Sequence, residues 1–210
     1  MVICFIVNRL IFDIIKTTMA TEISMEQIKA LRDKTGISVM QCKKALEEAG
    51  GDEEKALILL RKKGAEIAAK KSDREFGAGV IQAYIHSNGM VGAMVELVSE
   101  TDFVSNNNEF KTLAYDIAMH VSATNPEFIK KDEVDESART KATEVFQAEV
   151  EGKPENLKAQ ILAGKLDAYF KDKILLEQPF IKNPDLTIQQ LIDNAIQKFG
   201  ERIEVASFKR

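Results

Sequence analysis

Apolar residues recur at two spacings along this chain, and the change of spacing divides it. Over residues 23–64 they recur at three and four, the interval of a helix face. Ile28 and Leu31 open such a face behind Ser24-Met25-Glu26-Gln27. That tetrad reads as a capping box: the Ser hydroxyl accepts from the third residue's N–H, and the Gln side chain reaches back. Gly36 supplies a left-handed stop. Ser38-Val39-Met40-Gln41 repeats the box, and its helix runs through Cys42-Lys43-Lys44-Ala45-Leu46 to Gly50-Gly51. Asp52 caps a third helix, with Glu53 and Glu54 in the first turn, where the helix dipole favours negative charge. Ala56-Leu57-Ile58-Leu59-Leu60 continues it, and Gly64 is its expected stop. Residues 65–76 carry mostly charge, with periodicity limited to Ile67, Ala68 and Ala69, and read as a partly helical, solvated linker.

From Gly77 the period changes to two. Val80, Tyr84 and their neighbours alternate up to Ser87-Asn88-Gly89, a hairpin-turn signal, and Met90 to Val98 form the return strand. The chain then passes through Glu100-Thr101-Asp102-Phe103-Val104. Asn106 is expected to cap the next helix, with Glu109 completing its box, and Phe110, Leu113, Ala114, Ile117, Ala118 and Val121 form an apolar stripe that Asn125-Pro126 ends. Two more helical segments over 133–170, split by Gly152-Lys153-Pro154, predict an antiparallel helical hairpin. Gln178-Pro179-Phe180 is a loop, Leu186 to Ile192 enters a helix that Gly200 stops, and Arg202 to Phe208 alternates as a last strand joining the hairpin. The fold class is therefore α+β. An N-terminal three-helix module of ubiquitin-associated-like type (19–64) precedes a linker (65–76). A core domain (77–210) follows, with a small antiparallel three-stranded sheet packed by helices. The helical module is too small to bury much surface, which suits docking.

Thr101-Asp102-Phe103-Val104 raises the sharpest question. A Phe beside a carboxylate at the end of a strand is either a loop aromatic folded into the core or an anchor for a second protein, and local sequence does not separate the two. Composition narrows the field. With 210 residues, 45% apolar and 30% charged, the chain can bury a real core; its net charge of −4 and interspersed signs argue against a nucleic-acid footprint. Cys4 and Cys42 make no disulfide framework or CxxC pair, which fits a reducing compartment. His86 and His120 stand apart with no ligand at metal spacing, so no metal or cofactor is expected. His86, in a strand-like run, reads as structural or solvent-facing rather than as a base. His120 sits one position outside its helix's stripe and reads as a surface contact. GxSxG, P-loop, GxGxxG and HExxH patterns are missing, so no catalytic residue is assigned. Residues 1–18 are rich in Ile, Val and Phe but broken by Asn8, Arg9 and Asp13. They are too short and interrupted to span a bilayer and fit a secretory signal poorly. They read as an over-extended start before Met19-Ala20-Thr21-Glu22.

Several of these segments, in order, resemble the translation elongation factor Ts family. They are Leu31-Arg32-Asp33-Lys34-Thr35-Gly36, Cys42-Lys43-Lys44-Ala45-Leu46, Gly64 through Lys71, Tyr84-Ile85-His86, Glu100-Thr101-Asp102-Phe103-Val104, Ala118-Met119-His120-Val121 with Pro126, and Glu177-Gln178-Pro179-Phe180. The resemblance runs from about Ser24 to Phe208. The family usually has small residues after Thr-Gly and an Asp before the Cys; here Ile37-Ser38 and Gln41 stand there. The chain also resembles the short form, with one hairpin-plus-strand core unit.

The resemblance implies a cytoplasmic guanine-nucleotide exchange factor for elongation factor Tu, binding both its GDP-bound and nucleotide-free states and doing no covalent chemistry. It implies that Thr101, Asp102, Phe103 and Val104 form the exchange loop, with Phe103 wedged into the partner's nucleotide domain and Asp102 orienting the loop. Val39, Met40 and Lys43 would grip the same domain from the helical module, although Val39 and Met40 suit the bundle core equally well. Cys42 reads as a buried structural thiol. Met119 and His120 would add contacts from the core domain. Short members are associated with a homodimer that binds two partner molecules, a two-plus-two complex; neither nucleic acid nor membrane is an expected partner. Two rival readings remain. One is a ubiquitin-associated-type adaptor or scaffold without exchange activity, and the other is an RNA-binding translation protein, against which the net charge argues.

Overall fold

The computed structural model describes residues 23–150 and 154–210. The apolar segment 1–18 and the expected start at Met19 lie outside the described residues. The chain divides into two compact units, one ending at Ile67 and one spanning Ala68–Arg210. Each is described by itself.

The first unit is built on α1 (Met25–Thr35), α2 (Val39–Glu48) and most of α3 (Glu53–Lys70). The first expected capping box forms in full, and the second is seen through its serine. Ser24 Oγ accepts from Gln27 N while Gln27 Oε1 accepts from Ser24 N. Gly36 turns left-handed at φ 69°, and Ser38 Oγ accepts from Gln41 N at the start of α2. The apolar faces meet in a core of Ile28, Leu31, Ile37, Cys42, Ala45, Leu46, Ala56 and Leu60. Each large aliphatic buried there contributes roughly 1.5–3 kcal/mol of transfer free energy. Cys42 is part of that core. Its thiol lies 3.7 Å from the Ile37 carbonyl oxygen, and burial, the largest influence, raises its pKa, as expected of an inert thiol.

One boundary differs from expectation: α3 continues through Gly64 to Lys70. Gly64 keeps helical backbone, unlike the left-handed stops Gly36 and Gly200. A lone interior glycine weakens a helix by about 1 kcal/mol relative to Ala. The helix formers Ala65, Glu66, Ala68, Ala69 and Lys70 behind it carry the helix on.

In the second unit β1 (Ala78–Ile85), β2 (Gly92–Ser99) and β5 (Ile203–Lys209) form an antiparallel sheet in the order β1-β2-β5. Val80 pairs with Leu97 and Tyr84 with Ala93; β5 bulges once, pairing Val205 with Leu97 but Ser207 with Glu96. The turn between β1 and β2 uses the positive φ of Gly89, which the Asn-Gly signal anticipated. One face of the sheet, with Ala93, Val95, Leu97, Ile203 and Val205, is buried. Helix α5 (Asn108–Thr124) packs on its β1 and β2 strands, bringing Phe110, Ala114, Ile117, Ala118 and Val121, the expected stripe.

Between β2 and α5 lies α4 (Asp102–Ser105), a single turn that occupies the expected loop and moves the next cap along by one residue. Asn106 still has helical backbone (φ −80°, ψ −12°), so it closes α4 and is unable to start α5. Asn107 is extended and caps α5 through Glu109 N at 2.8 Å.

Helices α6 (Glu136–Val150) and α7 (Glu155–Lys173) pack on each other around Ala142, Phe146 and Phe170, with the Phe146 and Tyr169 rings edge to face at 5.5 Å. A two-stranded ribbon, β3 (Pro179–Phe180) with β4 (Asn183–Thr187), was not anticipated, because Pro184 and Asp185 are poor strand residues. Thr187 then caps α8 (Ile188–Phe199) with a full capping box, and Gly200 ends it at φ 75°.

Candidate partner-binding surface

Strand β2 delivers the chain to α4 through three residues held from several sides. Ser99 is buried, and its carbonyl accepts from Gly77 N at 3.2 Å. A Cβ at Gly77 would sit 2.7 Å from the Glu100 carbonyl oxygen, so only glycine lets these two segments approach. The Glu100 carboxylate accepts from Arg202 N at 2.6 Å and from the Arg74 guanidinium at 3.0 Å. Burial is the largest influence on Glu100 and raises its pKa. The Arg202 amide and the Arg74 charge together outweigh it, and the carboxyl stays below its ordinary value. Thr101 donates its N–H to Glu201 Oε2 at 3.0 Å and its hydroxyl to Glu201 Oε1 at 2.6 Å; its carbonyl accepts from Ser99 Oγ at 3.0 Å.

From that root the turn splits its side chains. Val104 and Ser105 point inward and are buried. Asp102 is exposed, and Phe103 stands 82% exposed. Seven residues on, Phe110 is fully buried under the sheet, so the fold has room for aromatics and leaves this one out. The core reading of Phe103 is excluded. Within Thr101-Asp102-Phe103-Val104, Val104 is corrected from surface residue to anchor: a one-turn helix presents only about half its positions to solvent, and Val104 falls on the other half.

In the first unit, α2 turns Cys42, Ala45 and Leu46 inward and leaves Val39, Met40 and Lys43 exposed, with Met40 at 65%. The alternative that placed Val39 and Met40 in the bundle core is excluded by the same geometry.

His120 is a correction of another kind. It is fully buried, where the stripe pattern suggested a surface position, and Met119 beside it is half-buried. Three residues after Ile117, it lies on a flank of α5 that the segment Gln178–Ile181 covers from a distance in sequence that periodicity does not reveal. His86 is exposed, with Nδ1 3.0 Å from the Tyr84 hydroxyl. Among the described residues no three His, Cys, Asp or Glu side chains gather as a metal site, and no helix is long and apolar enough to cross a membrane. A cavity of about 490 Å³ along α6 and α7 has Lys131, Arg139, Asp167 and Lys171 in its lining.

Sequence reading missed Arg74, Glu201 and Arg202, which hold the root of the turn from 26 to 102 residues away. The one local signal was a carboxylate directly after the helix-ending Gly200.

Fold and surface together show an α+β protein with an exposed aromatic on a turn whose root is held by hydrogen bonds. The family model for elongation factor Ts matches residues 19–210. Among curated relatives, the elongation factors Ts of Carboxydothermus hydrogenoformans and Acetivibrio thermocellus are each 46% identical over 190 residues, 90% of this chain and 88% of theirs. That of Thermotoga petrophila is 46% identical over 189 residues, 90% of this chain and 95% of its own. The chain belongs to the elongation factor Ts family. Membership carries a role in translation elongation, in guanine-nucleotide exchange.

Proposed function

We propose that this protein binds elongation factor Tu carrying GDP, disturbs its Mg²⁺ and phosphate site, and speeds GDP release so that GTP can bind. The observation that carries the reading is Phe103, held in water on a clamped turn within a family of exchange factors. A P-loop GTPase holds nucleotide through backbone amides around the phosphates and a Mg²⁺ ion. An exchange factor shifts that equilibrium only by binding the empty state better than the GDP state. Phe103 entering the partner's nucleotide domain, with Asp102 supplying polar contacts beside it and Thr101 and Val104 holding the turn, supplies such a differential contact. No covalent step is involved.

In this reading residues 19–64 are a docking module of ubiquitin-associated type, with Val39, Met40 and Lys43 as its contact patch; residues 65–76 link it to a core for exchange and dimerisation, 77–210. The activity belongs to the cytoplasm. The test is release of a fluorescent GDP analogue from elongation factor Tu with catalytic amounts of this protein. Many-fold acceleration is the expected result. No acceleration of a matched partner by the folded chain favours the adaptor reading.

The open face of the sheet supports a homodimer that binds two partner molecules. Ile81 and Ile85 are 65% and 69% exposed there, with Ala83 opposite Met94. A charge in the middle of that face should separate the copies. Ile81→Asp is expected to weaken self-association at least tenfold, read as a fall from dimer to monomer mass in sedimentation at micromolar concentration. An unchanged mass in both proteins removes the sheet face from the dimer proposal.

A further inference from the structure

Glu100-Thr101 and Glu201-Arg202 meet where β2 gives way to α4 and where the chain enters β5, and they exchange bonds reciprocally. The side chain of Glu100 takes the main-chain N–H of Arg202, while the side chain of Glu201 takes the main-chain N–H of Thr101. The Thr101 hydroxyl closes a second bond to the other Glu201 oxygen.

Thr101 stands at the N-cap of α4 with extended backbone (φ −129°, ψ 159°), yet its hydroxyl makes no cap bond to the turn. An N-cap threonine ordinarily accepts from an N–H two or three residues on. Here that group faces away and serves Glu201. A single helical turn is poorly stable by itself, since nucleation fixes several dihedrals for one hydrogen bond. The turn therefore depends on restraint from outside: buried Val104 on one side and the Glu201 carboxylate on the other, with Phe103 left in water.

We infer that Glu201 is a positioning residue of the exchange turn, holding Thr101 and through it the direction in which Phe103 projects toward the partner. The inference rests on the exchange-factor reading above. Without the clasp the turn samples other directions, and the partner must order it on binding, which lowers the rate at a given concentration.

Glu201→Gln keeps the shape of the side chain and one acceptor. The expected result is a loss of about fivefold in kcat/KM for GDP release, of the size set by one disordered contact side chain. Amide hydrogen exchange at Thr101 and Phe103 is expected to quicken, since local opening is what that measurement reads. In a Phe103→Ala background Glu201→Gln is expected to change release by less than about twofold, because no ring is left to aim.

Three results overturn the inference. An equal fold-loss in the Phe103→Ala background means a general structural role. Unchanged release by Glu201→Gln, with the wild type active, removes the positioning role alone. A wild-type chain that fails to accelerate release takes the exchange reading down, and the inference with it, even if the Thr101 amide proves protected by Glu201.

Discussion

Phe103→Ala is expected to cut the acceleration of GDP release about thirtyfold or more while leaving the thermal midpoint of the chain nearly unchanged. The thirtyfold figure corresponds to the roughly 2 kcal/mol that separates a hot-spot aromatic from an ordinary interface residue. The stability half of the expectation follows from position. Phe103 is 82% exposed, so its truncation opens no cavity and removes little packing from the free protein. Phe110, fully buried beneath the sheet, is the internal control. Phe110→Ala should cost about 3–5 kcal/mol of stability and lower the midpoint by many degrees. Stopped-flow release of a fluorescent GDP analogue and a thermal melt, run on both variants, separate the two roles. A large drop in midpoint for Phe103→Ala would return that ring to the core and leave the exchange turn without its anchor.

The contrast between those two phenylalanines also marks what a sequence can display. Period-two and period-three-to-four patterns located the sheet, the α5 stripe and the three-helix core, because burial of one face is a local rhythm repeated along the chain. Phe110 fell into that rhythm at once. Phe103 did not, and only its neighbours in the Glu100-to-Val104 segment hinted at a use. Where sequence reasoning erred, a second segment had intervened. Gly64 looked like a stop because glycine often is one, but the helix formers behind it decide. Asn106 looked like a cap because the turn before it was invisible as a turn. His120 looked exposed because the Gln178–Ile181 segment that covers it lies about sixty residues on. The reciprocal bonds of Glu100 and Glu201 span a hundred residues in the same way, and no local pattern announces them.

His120→Ala is expected to destabilise the core unit by about 3 kcal/mol, lowering its thermal midpoint on the order of 10 °C. His120 is fully buried on α5. Ile181 N donates to its Nδ1 at 3.3 Å, which leaves Nε2 carrying the proton and donating to Gln178 Oε1 at 2.8 Å. The same Gln178 oxygen accepts from Thr124 Oγ1, and Gln178 Nε2 donates to the Asp172 carbonyl. Removing the ring breaks this hydrogen-bonded node, takes the acceptor from the Ile181 amide and leaves a cavity beside Phe180. Acid should act on the same node. Burial, the largest influence, lowers the His120 pKa, and the bond to Gln178 offsets it only in part. The unfolded chain therefore takes a proton below about pH 6.5 that the folded chain refuses. Stability from this group is complete above that pH and is lost as pH falls from there toward the depressed folded value. Thermal midpoints of the wild type and His120→Gln, measured from pH 7.5 to 5, should draw together as the pH drops. A constant gap between them would mean that His120 does not titrate differently in the two states. A His120→Ala chain that melts like the wild type but exchanges nucleotide poorly would restore it to the partner surface.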